Sequence, residues 1–124
     1  MIRGVRGATT VNENNEMEII EATEILLRKM IEENSIDAET VASVFISVTE
    51  DITAVFPARA MRLIDGWKYV PVMCMREIPV ESSLERCIRV MMHVNTNISQ
   101  QDISHIYLGN AIKLRPDLNT ADKF

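Results

Sequence analysis

One long amphipathic helix is predicted by the stretch Glu16–Asn34, which reads EMEIIEATEILLRKMIEEN. Its mostly apolar side chains recur every three or four residues and form two adjacent rows. The first row consists of Met17, Ile20, Glu24, Leu27 and Ile31, and the second of Ile19, Thr23, Leu26 and Met30. A band of this width is typical of a helix that packs on a sheet. Because one helix covers only one sheet face, we expect the other face to meet a partner subunit.

Five strands are predicted around this helix. Alternation of apolar and polar residues between turn signals indicates strands over Met1–Val11, Val41–Thr49, Lys68–Met75 (beginning near Pro71), Glu85–Asn95 and His105–Leu108. A short helix is expected from about Ala58 to Ile64, and irregular chain is expected from Gly109 onward, with a loose tail over about 116–124. The predicted class is α+β with a mixed sheet, in a single domain over residues 1–124.

The composition excludes several classes of function. The 124 residues carry 13 basic and 18 acidic side chains, a formal net charge of −5, which disfavours a general nucleic-acid binder. The acidic excess lies in residues 12–40, where nine acids and two bases give −7. No apolar run is long enough to span a bilayer, and the N-terminus lacks the apolar core of a signal peptide. The two cysteines are too few for a disulfide framework. We expect a cytoplasmic protein with no membrane partner.

Two arginines lie inside predicted strands, where a charge must be exposed, paired or bound to a ligand. Arg6 lies between Gly4 and Gly7, two glycines that suggest close approach of another backbone or of a ligand. Arg89 lies in the otherwise apolar run Cys87–Met92, and taken alone it is explained equally well by a bound ligand or by a structural role, which is exposure or pairing with Glu77 or Glu85. Nine of the 13 basic residues are arginine, which binds carboxylates through two parallel hydrogen bonds. The sequence therefore predicts a small ligand that carries carboxylates.

Three further residues are candidates for the same site, each with a purely structural alternative. Glu77 follows a predicted strand and is also explained by a salt bridge at its rim, whereas Tyr107 is also explained as a core tyrosine with a satisfied hydroxyl. Cys74 has no obvious base beside it, which makes it a weak candidate nucleophile. The sequence has no zinc-ligand spacing, no phosphate-binding glycine loop and no G-x-S-x-G motif. We expect no metal and no cofactor.

Six segments, taken in order along the chain, resemble one known family. They are Arg3–Val11, Ala54–Ala60, Gly66–Glu77, Cys87–Met92, His105–Leu108 and Leu114–Leu118. Together they resemble the monofunctional AroH-type chorismate mutases over nearly the whole chain. The resemblance implies a homotrimeric pseudo-α/β-barrel with three active sites in clefts between subunits. It also implies the rearrangement of chorismate to prephenate, a [3,3] Claisen-type reaction in the biosynthesis of phenylalanine and tyrosine.

The resemblance also implies roles for the candidate residues. Arg89 would reach the ether oxygen and a carboxylate of the substrate, and Arg6 would hold the side-chain carboxylate. Glu77 would accept a hydrogen bond from the ring hydroxyl with Cys74 close by, and Tyr107 would bind a carboxylate. The reaction is unimolecular, so it needs no nucleophile, proton transfer or cofactor. Catalysis would come from orienting the substrate and from preorganised charge.

Further contacts are implied from the neighbouring subunit and from the C-terminal segment. Phe56 and Arg59 of the neighbour would line the pocket, and the strand after Pro71 would form part of its wall. Leu114 and Arg115 would belong to a mobile segment that closes over the site. The expected substrate-binding residues are completed by Met73, Met75 and Arg76.

Two functions from other classes remain open at this point. One is a trimeric enzyme of similar architecture, such as an imine deaminase that binds carboxylates through arginine. The other is a non-enzymatic module that binds a small anion. Loss of chorismate absorbance on mixing with the protein distinguishes the mutase from both.

Overall fold

A mixed five-stranded sheet forms the centre of the protein in a computed structural model that describes residues 1–114. Its strands are β1 (Ile2–Thr10), β2 (Val41–Val48), β3 (Val72–Arg76), β4 (Cys87–Asn95) and β5 (Ile106–Tyr107). Their order across the sheet is β3-β2-β4-β1-β5. Strand β4 is antiparallel to β1 and β2, whereas β3 is parallel to β2 and β5 is parallel to β1. Together with the helix α1 (Glu16–Glu33), this sheet confirms the predicted α+β class.

Strand β3 begins near Pro71, as predicted, whereas β4 begins later than predicted, and each start has a backbone reason. β3 begins at Val72 because Pro71 has no N–H for the ladder. β4 begins at Cys87 because Arg86 has a φ of 46°, which turns the chain out of the extended conformation. The expectation of irregular chain from Gly109 onward is wrong, since Gly109–Leu114 forms a 3₁₀ helix. Other 3₁₀ helices span Ala38–Thr40, Pro57–Leu63 and Gln100–Asp102. The predicted tail over about 116–124 lies outside the described residues.

Helix α1 covers one face of the sheet with only part of its predicted apolar band. Its N-terminus is capped by Asn15, whose side-chain oxygen accepts a hydrogen bond from the Glu18 N–H at 3.0 Å. The fully buried helix residues are Ile19, Thr23, Leu26, Leu27 and Met30. Met17, at the start of the other predicted row, is 73% exposed. No helix within residues 1–114 is long and apolar enough to cross a membrane.

Close contact between the sheet and α1 depends on Gly7. A Cβ atom at this position would lie 2.4 Å from Sδ of Met30 and 3.0 Å from Cδ1 of Leu26. At Gly4 and Gly7 we expected another backbone or a ligand to approach closely, and within the described chain the groups that do so are side chains. Those of α1 meet Gly7 on one face, and Met91 lies near Gly4 on the other. The missing side chain at Gly7 lets the helix lie directly on β1.

The two faces of the sheet differ in what covers them. On the face toward α1, the side chains of Val44, Ile46, Ile88, Val90 and Met92 are at most 2% exposed. The opposite face, called the open face here, carries Arg6, Phe45, Met73, Arg89 and Met91. The 3₁₀ helix Gly109–Leu114 packs on one end of the open face, where its Ala111 meets Ala8 and Tyr107. Phe45 and Met73 are 40% and 63% exposed, so this face keeps apolar surface in contact with solvent.

Candidate active site

The register of the sheet brings four predicted site residues together on the open face. Arg6 of β1 and Arg89 of β4 are diagonal neighbours, because Ala8, two residues after Arg6, lies directly opposite Arg89. Tyr107 of β5 pairs with Ala8 on the other side. These three site residues and Glu77 line a cavity of about 210 Å³, called the first cavity below.

Glu77 is held at this cavity by its backbone and its side chain. Its N–H extends the ladder beyond β3 by donating to the Val48 carbonyl at 2.8 Å. Its carboxylate oxygen Oε2 accepts a hydrogen bond from Ser47 Oγ at 2.8 Å and one from Arg89 Nη1 at 3.1 Å. The ion pair uses one of the five N–H donors of Arg89, whose side chain is 43% exposed. The rest of the guanidinium can therefore bind an anion.

Tyr107 contributes a hydroxyl group that lacks a partner within residues 1–114. The residue is 6% exposed, and its hydroxyl is buried without a hydrogen bond to the described chain. Tyr107 is thus a core tyrosine, as one alternative expected, but residues 1–114 do not supply the partner that this alternative expected for its hydroxyl. A buried hydroxyl without a partner is costly, and a ligand oxygen in the first cavity would satisfy it. Nearby, the Arg6 backbone N–H donates to His105 Nδ1 at 3.0 Å, which fixes β1 beside the cavity.

A second group of predicted residues lies on a different surface. Phe56, Arg59, Cys74 and Arg76 line a cavity of about 930 Å³, called the second cavity below. Phe56 is 73% exposed at its rim. Arg59 is paired with Glu16 at 2.6 Å, and Arg76 is paired with Glu50. Phe56 and Arg59, the two residues expected from the neighbouring subunit, thus lie outside the first cavity.

Within one chain, the side chains of Cys74 and Glu77, which were expected close together at the substrate, point to opposite faces of the sheet. In a strand, side chains alternate between faces, so residues three positions apart point to opposite sides. Cys74 pairs with Ile46 on the face toward α1, whereas Glu77 reaches Arg89 on the open face. Met75, on the same side as Glu77, lines both cavities.

Both thiols are kept protonated near neutral pH. Burial raises the pKa of Cys74, and a hydrogen bond with the Ala58 backbone opposes this effect. Burial raises the pKa of Cys87 to about 11; the nearby Arg89 charge lowers it, and the carboxylates of Glu77 and Asp51 raise it further. A raised thiol pKa disfavours the thiolate that a nucleophile requires, which agrees with the weak case for Cys74 in the sequence.

Two of the remaining predicted residues line neither cavity, and two residues that were not predicted are bonded to predicted site residues. Met73 lies on the open face outside both cavities. Leu114 ends the last 3₁₀ helix and packs near Tyr107, and Arg115 lies outside the described residues. Ser47, which lines the first cavity, and Glu16, which pairs with Arg59, were not predicted from the sequence. The only signal for Ser47 was a polar residue in an apolar strand.

Comparisons with known proteins give one consistent result. The family model described as chorismate mutase type I matches residues 2–118. The curated protein named chorismate mutase AroH from Bacillus subtilis is 52% identical over 119 residues, covering 96% of this chain and 94% of the relative. Its namesake from Thermus thermophilus is 48% identical over 122 residues, covering 98% and 99%. A solved structure titled chorismate mutase from Clostridium thermocellum is 48% identical, with a TM-score of 0.85, covering 88% of this chain and 96% of that one.

Proposed function

This chain belongs to the type I chorismate mutase family and is a chorismate mutase, an isomerase, and we propose here how its residues carry out the conversion of chorismate to prephenate. The reaction breaks the ether C–O bond and forms a C–C bond within one molecule, on the way to phenylalanine and tyrosine. The two alternatives that the sequence left open, an imine deaminase and a non-enzymatic anion-binding module, are not favoured by the comparisons.

In this proposal Arg89 supplies the charge that the transition state needs. Negative charge grows on the ether oxygen as the C–O bond breaks. A guanidinium held beside that oxygen stabilises the transition state more than the bound substrate. The supporting observation is the ion pair with Glu77, which holds Arg89 in place while occupying one of its five donors.

The other residues of the first cavity bind and orient the dianionic substrate. Arg6 and the buried Tyr107 hydroxyl each bind a carboxylate, and Glu77 accepts a hydrogen bond from the ring hydroxyl. Anchoring at both ends holds the substrate in the compact chair from which it reacts. The observation that carries the mechanism is the first cavity itself, where Arg89, Glu77 and the Tyr107 hydroxyl without a partner in residues 1–114 lie together. The rearrangement forms no bond to the protein and transfers no proton, so no residue is assigned as nucleophile or general base.

We also propose that each complete site forms between two copies of a homotrimeric pseudo-α/β-barrel. The first cavity of one copy would meet the second cavity of the next, bringing Phe56, Arg59 and Cys74 to the substrate. Support comes from the position of the two cavities, which share only Met75, from the exposure of Phe56 and from the apolar residues of the open face. Met73, Leu114 and Arg115 complete the proposed substrate contacts. A cytoplasmic location is proposed as well, consistent with two free cysteines.

The direct test adds chorismate to the purified protein. We expect saturable loss of chorismate absorbance and formation of prephenate, identified by mass spectrometry. The Arg89→Ala variant should lose nearly all of this activity while keeping its oligomeric state. A rate no higher than in buffer alone would contradict the function, and an active Arg89→Ala variant would contradict the mechanism.

A further inference from the structure

Ser47 occupies a position beside the two charged groups on which the proposed mechanism depends. In the β2–β4 ladder it lies directly opposite Arg89, and its side chain points to the open face. Its neighbours Phe45, Ile46 and Val48 are apolar, so this hydroxyl is the polar group that β2 places at the first cavity. Its Oγ donates to Glu77 Oε2 at 2.8 Å, shorter than the 3.1 Å between Arg89 Nη1 and the same oxygen.

Both hydrogen bonds fall on one oxygen of the Glu77 carboxylate. The other oxygen, Oε1, accepts no hydrogen bond from residues 1–114. Because the Glu77 N–H is tied to the Val48 carbonyl, the backbone also fixes where this side chain starts. The carboxylate is thus held by one oxygen and presents the other.

A carboxylate beside an arginine has a competing arrangement. Without a second donor, it tends to take two parallel hydrogen bonds from the guanidinium, one to each oxygen. That arrangement would occupy Oε1 and a second Arg89 donor at once. The Ser47 hydroxyl opposes it, because turning the carboxylate fully toward Arg89 would break the bond of 2.8 Å.

From this geometry we propose that Ser47 is a positioning residue that keeps Glu77 Oε1 free for the substrate hydroxyl and keeps Arg89 donors free for the ether oxygen. The inference rests on the proposed function, and it extends the site to a residue that touches no substrate. Ser47 acts through Glu77, so its effect depends on the presence of that carboxylate.

The test compares three variants at β2. Ser47→Ala should lower kcat about tenfold, as expected for losing one hydrogen bond to a charged group. KM should change by less than about threefold, because Arg6 and Tyr107 are untouched. Ser47→Thr, which keeps the hydroxyl, should stay within about twofold of the unaltered protein. The matched control is Ser43→Ala, which removes a serine hydrogen bond to His93 (3.1 Å) on the same strand and should leave kcat unchanged.

A double-mutant cycle separates positioning from a structural role. In the Glu77→Ala background, Ser47→Ala should cause no further fall in kcat. An equal fall in kcat in both backgrounds would overturn the inference. A Ser47→Ala variant whose kcat is within twofold of that of the unaltered protein would also overturn it. If the unaltered protein itself fails to convert chorismate, the proposed function fails. If it converts chorismate and Ser47→Ala is fully active, only the role of Ser47 is wrong.

Discussion

Mixing two inactive variants tests whether each active site forms between copies of the chain. Arg89→Ala damages the first cavity and leaves the second intact. A double variant, Phe56→Ala with Arg59→Glu, damages the second cavity and places a negative charge where the dianionic substrate would bind. Loss of a preorganised charged donor such as Arg89 lowers the rate by about 10²–10³-fold, so this parent should be almost inactive alone.

The size of the recovery follows from the arrangement of the two cavities. If a site joins the first cavity of one copy to the second cavity of the next, an intact site has two conditions. The double variant must supply the first cavity, and the Arg89→Ala variant must supply the second. In a closed ring assembled at random from equal amounts, each of these two conditions is met with a probability of one half. About a quarter of the sites, and so about a quarter of the unaltered activity, should return.

The assay refolds the two variants together and measures chorismate conversion. Each parent and the unaltered protein are refolded alone to correct for yield, and native mass spectrometry confirms that mixed oligomers have formed. The matched control mixes Arg89→Ala with Glu77→Ala, because both changes lie in the first cavity and no intact site can arise. Mixed oligomers with only the summed activity of their parents would refute a site shared between copies.

Three other predictions follow from single residues. Replacing Arg89 by citrulline, which keeps the shape but removes the charge, should lower kcat by about 10²–10³-fold; a fully active citrulline protein would exclude the electrostatic mechanism. Cys74→Ser should stay active with an unchanged rate profile between pH 6 and 8, because burial raises the pKa of that thiol and no thiolate takes part; a folded but inactive variant would point to covalent chemistry. Gly7→Ala should lower the free energy of unfolding by about 1–2 kcal/mol, because its Cβ would overlap Met30. The measurement is a denaturant titration, and a variant of equal or greater stability would show that the helix can move aside at no cost.

Local patterns were sufficient to predict the elements of the fold. The spacing of apolar residues in Glu16–Asn34 identified α1, and alternation identified the strands. The elements missed were the 3₁₀ helices Ala38–Thr40 and Gly109–Leu114, which are too short for an apolar repeat. Strand pairing could not be predicted either, because the parallel pairing of β3 with β2 and of β5 with β1 depends on tertiary contacts.

The candidate site was predicted unevenly for the same reason. Arg89 and Arg6 were found because a charge inside an apolar strand needs an explanation that sequence alone can raise. Cys74 was placed beside Glu77 although an odd spacing along a strand separates the two onto opposite faces. Ser47 gave almost no signal, since its importance comes from lying opposite Arg89 in a register that only the folded sheet defines.

Charge is distributed so that an acidic protein still attracts a dianion at one place. In the first cavity two arginines, Arg6 and Arg89, face the single carboxylate of Glu77, which leaves an excess of positive charge. In the second cavity Arg59 and Arg76 are each paired with a glutamate, so that surface adds little attraction of its own. Apart from Glu16, which lines the second cavity, the acids of α1 belong to the helix on the face opposite the open face, where salt screens their repulsion over about 8–10 Å. In the proposed mechanism, attraction of the substrate therefore depends on the first cavity, where Glu77, although it repels a dianion, would hold Arg89 in place and accept a hydrogen bond from the substrate hydroxyl.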